Sequence, residues 1–197
     1  MTETADRVQR AFAKSVEVKQ ATALECADAI GAVAERLVAC FAAGGKVLLF
    51  GNGGSAADAQ HIASEFVGRY VSDRPALPAI ALTSNSSEYT AIGNDYGFEH
   101  VFVRGVEAHG RQGDVAIGIS TSGDSSNVLH AIAVAKEHGL VTVGLLGKSG
   151  GKLATAVDYA VTVPSDQTPR IQEAHITIGH IWCELVEAEL FPEVAQS

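Results

Sequence analysis

Short runs of apolar residues alternate along the chain with longer segments whose apolar residues recur every three or four positions. The runs cover residues 47–50, 79–82, 114–119, 141–145 and 159–163. Continuous apolar runs of this length are typical of strands buried on both faces, and the longer spacing is typical of helices. The predicted helices cover 56–70, 125–137 and 169–190, with short helical pieces at 87–107 and near Lys152. Strands joined by helices favour a parallel sheet covered on both faces, because each connection returns across the sheet surface. We therefore predict an α/β fold with a doubly wound, five-stranded parallel sheet.

The segment before the first strand has helical spacing only. Its apolar residues form two groups: Val8, Phe12, Val16 and Val18, then Ile30, Val33, Leu37 and Phe41. The two groups predict two helices, the second ended by Gly44 and Gly45. We expect a single domain over residues 1–197, with the N-terminal helices in 1–43 and the α/β core in 46–190.

Composition narrows the class of protein. Of 197 residues, 47% are hydrophobic and 19% charged, and the net charge is −9. The hydrophobic fraction is enough for a large core. The negative net charge would repel nucleic acid and anionic membranes. The chain has no uncharged apolar run of about 18 residues and no basic-then-apolar N-terminus, so we expect a cytoplasmic protein without a membrane partner. Cys26, Cys40 and Cys183 fall on apolar helix faces, where buried reduced thiols are expected.

A glycine-rich turn follows the first predicted strand and opens a helix. It reads Gly51-Asn52-Gly53-Gly54-Ser55. Glycines let backbone N–H groups approach an anion, and a helix N-terminus adds its positive end. The turn has no P-loop lysine, and Ala56 replaces the third glycine of the dinucleotide fingerprint. It predicts an oxyanion or sugar-phosphate cradle, with a merely tight turn as the alternative.

A second polar turn follows the strand at 114–119. Its hydroxyl groups belong to Ser120, Thr121, Ser122, Ser125 and Ser126. Helix capping accounts for one of these residues but not for all of them. Two donor-rich turns at the same sheet edge favour an anionic ligand.

Two segments carry candidate chemistry. His61 and Glu65 stand four positions apart on one helix face, which suits a metal pair, an acid/base pair or an exposed ion pair. Gln172 and His180 lie on the last helix, about 80° and about 12 Å apart if it is regular. They can share a site only if that helix breaks or a second subunit supplies one of them. His180 as a buried core histidine is the alternative.

Four motifs together resemble the phosphoheptose isomerases of the sugar isomerase (SIS) domain superfamily. They cover residues 51–61, 91–98, 119–125 and 170–173. The resemblance implies a flavodoxin-like sheet with an N-terminal helical extension used in oligomerisation, and a homotetramer with active sites at subunit interfaces. It also implies aldose-ketose isomerisation of sedoheptulose 7-phosphate to D-glycero-D-manno-heptose 7-phosphate. That reaction is the first step toward the nucleotide-activated heptose of bacterial surface polysaccharide, such as lipopolysaccharide.

The same resemblance implies the site residues. Substrate contacts fall on Asn52, Gly53, Gly54, Ser55, Glu65, Asn94, Asp95, Ser120, Thr121, Ser122, Ser125 and Gln172. One zinc ion per subunit is implied, with His61, Glu65, Gln172 and His180 as ligands. An interface site would let Gln172 and His180 come from different subunits. The chain departs from the family pattern at Asn85, where many members have aspartate, and at Pro169, where some have an acidic residue.

The resulting hypothesis is proton transfer through a cis-enediol. Glu65 would move the proton between C1 and C2, His180 would serve the two oxygens, and zinc would polarise the carbonyl. One rival is a non-catalytic SIS protein that binds a sugar phosphate for regulation; such relatives keep the phosphate loops but lack the carboxylate and imidazole pair. Another is an isomerase of a shorter sugar phosphate, because phosphate loops do not measure the length of the sugar.

Overall fold

Five parallel strands form the centre of the molecule, in the order β2-β1-β3-β4-β5. Their bounds are β1 Val47–Gly51, β2 Ala79–Ala81, β3 Val115–Ser120, β4 Val141–Gly147 and β5 Tyr159–Val163. The computed structural model describes residues 2–193. The strand order is that of flavodoxin-like sheets, so the predicted doubly wound, five-stranded parallel sheet is confirmed.

The first strand shows why both faces of the sheet must be covered. Val47 and Leu49 pack into one apolar cluster, and Leu48 and Phe50 pack into another on the opposite face. All four are fully buried, because successive side chains of a strand point to opposite faces. Helices therefore cover the sheet on both sides.

The helices fall into two layers. Their bounds are α1 Glu3–Ala42, α2 Gly54–Val67, α3 Ser86–Tyr96, α4 Val103–His109, α5 Ser126–Glu137, α6 Leu153–Ala156 and α7 Thr168–Leu190, with a 3-10 turn at Phe98–His100. Helices α1, α2 and α7 share one apolar cluster, and α4, α5 and α6 contribute to the other. The layer of α2 and α7 carries His61, Glu65 and His180.

The N-terminal segment is one continuous helix of 40 residues, so the prediction of two helices is wrong. The segment has no proline, and a single glycine, Gly31, is tolerated within a helix. The change in apolar pattern reflects a change of surroundings. Phe12 is 71% exposed in the first half, whereas Leu37 in the second half is fully buried against the core.

Helix α7 is also continuous, over 23 residues, with Pro169 in its first turn as expected. The Trp182 indole N–H donates to the Ile30 carbonyl at 3.1 Å and joins α7 to α1. Cys26, Cys40 and Cys183 are free and buried, as predicted. Within residues 2–193, no helix is both long and apolar enough to cross a membrane.

Candidate active site

The two predicted phosphate loops lie at one edge of the sheet, where β1 and β3 end side by side. Gly51 pairs with Ile119 at the ends of these strands. The chain leaves β1 toward β2 and leaves β3 toward β4, in opposite directions along the sheet. Ligands of such sheets bind at this reversal point.

The first loop turns sharply into α2. Gly53 has a φ of +57°, which glycine adopts without strain. The N–H groups of Ser55 and Ala56 close the turn onto the carbonyls of Asn52 and Gly53. The N–H groups of Gly53 and Gly54 take no part in this closure, so they are available to an anion at the helix N-terminus.

The second loop gathers hydroxyl groups ahead of α5. The Ser120 Oγ lies 3.0 Å from the Ser125 Oγ and 3.4 Å from the Ser122 Oγ, and it accepts the Gly123 N–H at 3.1 Å. Gly123 has a φ of +71°, and a Cβ there would overlap the Gly150 carbonyl. The loop is therefore a fixed set of neutral donors.

An amide pair that sequence reasoning missed joins the two loops. The Asn52 and Asn127 carboxamides donate to each other, both at 2.9 Å. Asn127 is 2% exposed and lies in the first turn of α5. The residues are 75 positions apart, and no spacing rule links them.

His61, Glu65 and His180 meet in one chain. The His61 Nε2 lies 3.1 Å from the Glu65 Oε1 and 3.5 Å from the His180 Nε2. One ligand atom from each residue falls within 4.8 Å of the other two. Two imidazole nitrogens and a carboxylate oxygen form a donor set known for catalytic zinc. The three residues are exposed or partly buried, so a substrate could reach an ion held by them. These residues therefore fit a zinc ion.

The core histidine of α7 is His175, whereas His180 is only half-buried. The His175 side chain is fully buried, and its Nε2 lies 2.8 Å from the Leu146 carbonyl. Burial lowers the His175 pKa to about 4, although the bond to Leu146 opposes this effect. His175 is thus held neutral in the core, and His180 is the histidine of α7 that lies beside His61 and Glu65.

Gln172 stands apart from this group within one chain. Its carboxamide packs against Gly54, so closely that a Cβ at Gly54 would overlap it. Since α7 does not break between Gln172 and His180, Gln172 reaches the start of α2 and His180 reaches its middle, at His61. One chain thus brings together His61, Glu65 and His180, and places Gln172 at the phosphate loop.

Asn94 and Asp95 are exposed near the end of α3, and the Asn94 amide donates to the Asp95 carboxylate at 2.8 Å. Helix α3 has no buried residue. Asn85 caps this helix by accepting the Glu88 N–H at 3.3 Å. Aspartate caps a helix equally well, so this departure from the family pattern keeps its local role.

A buried ion pair ties the end of α2 to α7. Arg74 Nε donates to Glu187 at 2.9 Å, and its NH2 group donates to the Glu65 carbonyl at 2.8 Å. Glu187 also accepts the N–H groups of Tyr70, Val71 and Ser72. These bonds lower the Glu187 pKa against the opposing effect of burial. Tyr70 is thereby held with its ring centroid 5.5 Å from that of His180. The pair therefore supports both Glu65 and His180.

Asp58 is a further group that sequence reasoning left without a role. It lies one turn before His61 on α2, and its Oδ2 is buried without a hydrogen-bond partner. Burial raises the Asp58 pKa to about 6, while the charge of His61 acts in the opposite direction.

Comparison with known proteins agrees with this fold. The family model of the SIS domain matches residues 11–147. The phosphoheptose isomerase of Aneurinibacillus thermoaerophilus is 53% identical over 94% of this chain and 95% of its own length. The phosphoheptose isomerase of Geobacter metallireducens is 58% identical over 89% of this chain and 93% of its own length. The solved phosphoheptose isomerase of Neisseria gonorrhoeae superposes with a TM-score of 0.89 at 44% identity, over 94% of this chain and 99% of that one. The fold and site define a SIS domain protein. Within that class, the chain belongs to the phosphoheptose isomerase family.

Proposed function

We propose that this chain is an aldose-ketose isomerase that converts sedoheptulose 7-phosphate to D-glycero-D-manno-heptose 7-phosphate. The observation that carries the proposal is that Glu65 and His180 meet, with Glu65 on the helix that the first loop opens. Relatives that are 53% and 58% identical over almost the whole chain bear the name of this activity.

The reaction moves one hydrogen between neighbouring carbons of the sugar. Glu65 removes a proton from C1 of the ketose while His180 delivers a proton to O2, which gives an enediol. His180 then takes the proton from O1, and Glu65 returns its proton to C2, which gives the aldose. Both residues end in their starting states.

The phosphate group binds at the N-terminal end of α2. The N–H groups of Gly53 and Gly54 and the second-loop hydroxyls supply neutral donors, which suit an anion in a chain of net charge −9. The second-loop hydroxyls are those of Ser120, Thr121, Ser122 and Ser125, and the remaining inferred contacts come from Asn52, Ser55, Asn94, Asp95 and Gln172. The phosphate would thus hold C1 and C2 against Glu65.

We also propose one zinc ion per subunit, held by His61, Glu65 and His180, with Gln172 of a neighbouring subunit as the fourth protein ligand. When bound, zinc would supply Lewis-acid polarisation of the substrate carbonyl, and its coordination of Glu65 and His180 would compete with their use as proton carriers. The His61, Glu65 and His180 donor atoms fit this ion. Gln172 lies at the start of α2, away from these atoms, which is why we assign the fourth ligand to a second subunit.

The proposed assembly is a cytoplasmic homotetramer with active sites at subunit interfaces, feeding heptose synthesis for bacterial surface polysaccharide. Val8, Phe12, Val16 and Leu24 are between 52% and 86% exposed on α1. Large apolar residues exposed along one helix mark an interaction surface. Together with α3, which has no buried residue, they support packing against further copies of the chain.

Incubation of the purified protein with sedoheptulose 7-phosphate, followed by NMR for new aldose signals, tests the activity. Conversion supports the proposal. Binding without conversion would identify a regulatory sugar-phosphate protein, and conversion restricted to five- or six-carbon ketose phosphates would identify an isomerase of shorter sugars. Either of these results would overturn the proposed reaction.

A further inference from the structure

The Asn52 and Asn127 carboxamides form a closed pair between the two phosphate loops. Each donates its amide N–H to the other's carbonyl oxygen at 2.9 Å. Asn52 directly follows β1, and Asn127 lies in the first turn of α5. The pair is therefore a direct side-chain bridge between the loops that β1 and β3 present.

The orientation of the pair is fixed from inside the protein. The Asn127 Oδ1 also accepts the Val128 N–H at 2.9 Å. A backbone N–H requires an acceptor, so the Asn127 oxygen must face it, and the amide cannot turn over. Two accepted bonds fill both lone pairs of this oxygen. Asn52 must then present its N–H to Asn127 and its oxygen to the Asn127 amide.

This arrangement changes what Asn52 can offer a ligand. One N–H and one oxygen lone pair of its carboxamide are engaged with Asn127, whereas the backbone N–H groups of Gly53 and Gly54 take no part in the backbone bonds of the turn. The pair thus leaves Asn52 one amide N–H and one oxygen lone pair for a ligand, in an orientation that Asn127 fixes.

We propose that Asn127 is a positioning residue that holds the Asn52 loop against α5, so that both donor sets face one phosphate group. This inference rests on the proposed sugar-phosphate function. The backbone donors belong to the first loop and the hydroxyl groups of Ser120, Ser122 and Ser125 to the second. One phosphate group can accept from both sets only at a fixed separation, and displacement of about 1 Å is enough to weaken such a site.

Asn127→Asp tests the bridge with little change in shape. The carboxylate still accepts from the Val128 N–H and from Asn52, but it cannot donate to the Asn52 Oδ1. We expect the KM for the sugar phosphate and the Kd for inorganic phosphate, measured by calorimetry, to rise at least about tenfold. The kcat should stay within about threefold, because Glu65 and His180 are untouched.

His130→Asp is the control for charge, because His130 is exposed on the same helix, about one turn after Asn127 and outside the second loop. It adds the same carboxylate while leaving the amide pair intact, so its KM and Kd should rise less than about threefold. Equal increases in the two variants would show that added charge, and not the loss of the bridge, weakens binding, and would overturn the proposal.

Asn52→Ala gives a second test that does not alter the buried position. It removes the bridge but retains the backbone N–H of residue 52. We expect the double variant Asn52→Ala/Asn127→Asp to bind phosphate as weakly as the weaker single variant, because both changes break the same contact. Multiplied effects would contradict the bridge.

The wild-type protein separates the two proposals. If it neither binds inorganic phosphate nor converts the sugar phosphate, the proposed function fails. If it does both, and Asn127→Asp leaves KM and Kd unchanged, the function stands and the positioning role of Asn127 is wrong.

Discussion

The Nε2 atoms of His61 and His180 lie 3.5 Å apart, although the residues are 119 positions apart in the chain. Two imidazole nitrogens this close can share one proton, which one of them donates to the other. Alternatively, both can be unprotonated and face one metal ion. Glu65 adds a carboxylate oxygen 3.1 Å from the same His61 atom. The three side chains therefore favour one shared cation.

Zinc should stabilise the folded chain through this group. At a free zinc concentration about 100 times its Kd, binding adds about 2.7 kcal/mol to the free energy of unfolding. For a chain of this size we expect the Tm to rise by about 5–10 °C, measured by calorimetry before and after chelation. His180→Ala should abolish the rise, while His138→Ala, at the exposed C-cap of α5, should retain it. A full rise in His180→Ala would place the metal elsewhere.

Loss of Glu187 should destabilise the chain far more than loss of a surface carboxylate. Glu187→Ala leaves the Arg74 charge buried and unpaired, which costs about 3–5 kcal/mol. The exposed Arg104–Glu107 pair is the control, since Glu107→Ala should cost less than about 1 kcal/mol. Urea denaturation measures both costs, and similar values would show that the buried pair is dispensable.

His175 should make stability depend on pH. Its folded pKa of about 4 lies below the ordinary value of 6.5, so the unfolded chain binds a proton first as the pH falls. The free energy of unfolding should then decrease between pH 6.5 and about pH 4, by about 3 kcal/mol in total. His175→Gln keeps a donor for the Leu146 carbonyl but does not titrate. Its stability should change less over this range, and identical pH profiles would contradict the assignment.

The exposed apolar face of α1 should hold copies of the chain together. Phe12 is 71% exposed, and Phe12→Asp places a charge where we expect a subunit interface. Analytical ultracentrifugation should show smaller assemblies for this variant than for the wild type. Ala13→Asp adds the same charge at the neighbouring exposed residue and should leave the assembly size unchanged. A Phe12→Asp variant of wild-type size would exclude this face.

Much of the fold is predictable because its signals are local. The strands are continuous apolar runs between helical segments, and the glycine and serine loops directly follow two of them. By contrast, the two groups of apolar residues in α1 belong to one helix. The apolar pattern differs between them because the first half of the helix is exposed and the second half is buried against the core. Local spacing does not reveal that change.

The site was predictable only in part, for a related reason. His61 and Glu65 share a helix face, whereas the choice between His175 and His180 depends on which side chain the core covers. Asn52 meets Asn127 across 75 positions, and Arg74 meets Glu187 across 113. Contacts at such separations arise from the packing of whole elements and leave no local pattern in the sequence.

The central claim is that Glu65 moves the proton between C1 and C2. The most direct measurement is turnover of sedoheptulose 7-phosphate by Glu65→Gln, with the zinc content of the protein determined in the same sample. Glu137→Gln, at an exposed position on α5, serves as the control and should retain wild-type turnover. We predict a kcat about 10²–10⁴ times lower for Glu65→Gln, together with loss of deuterium exchange from solvent into the sugar. Near-normal turnover and exchange in Glu65→Gln would contradict the assignment of Glu65 as the base.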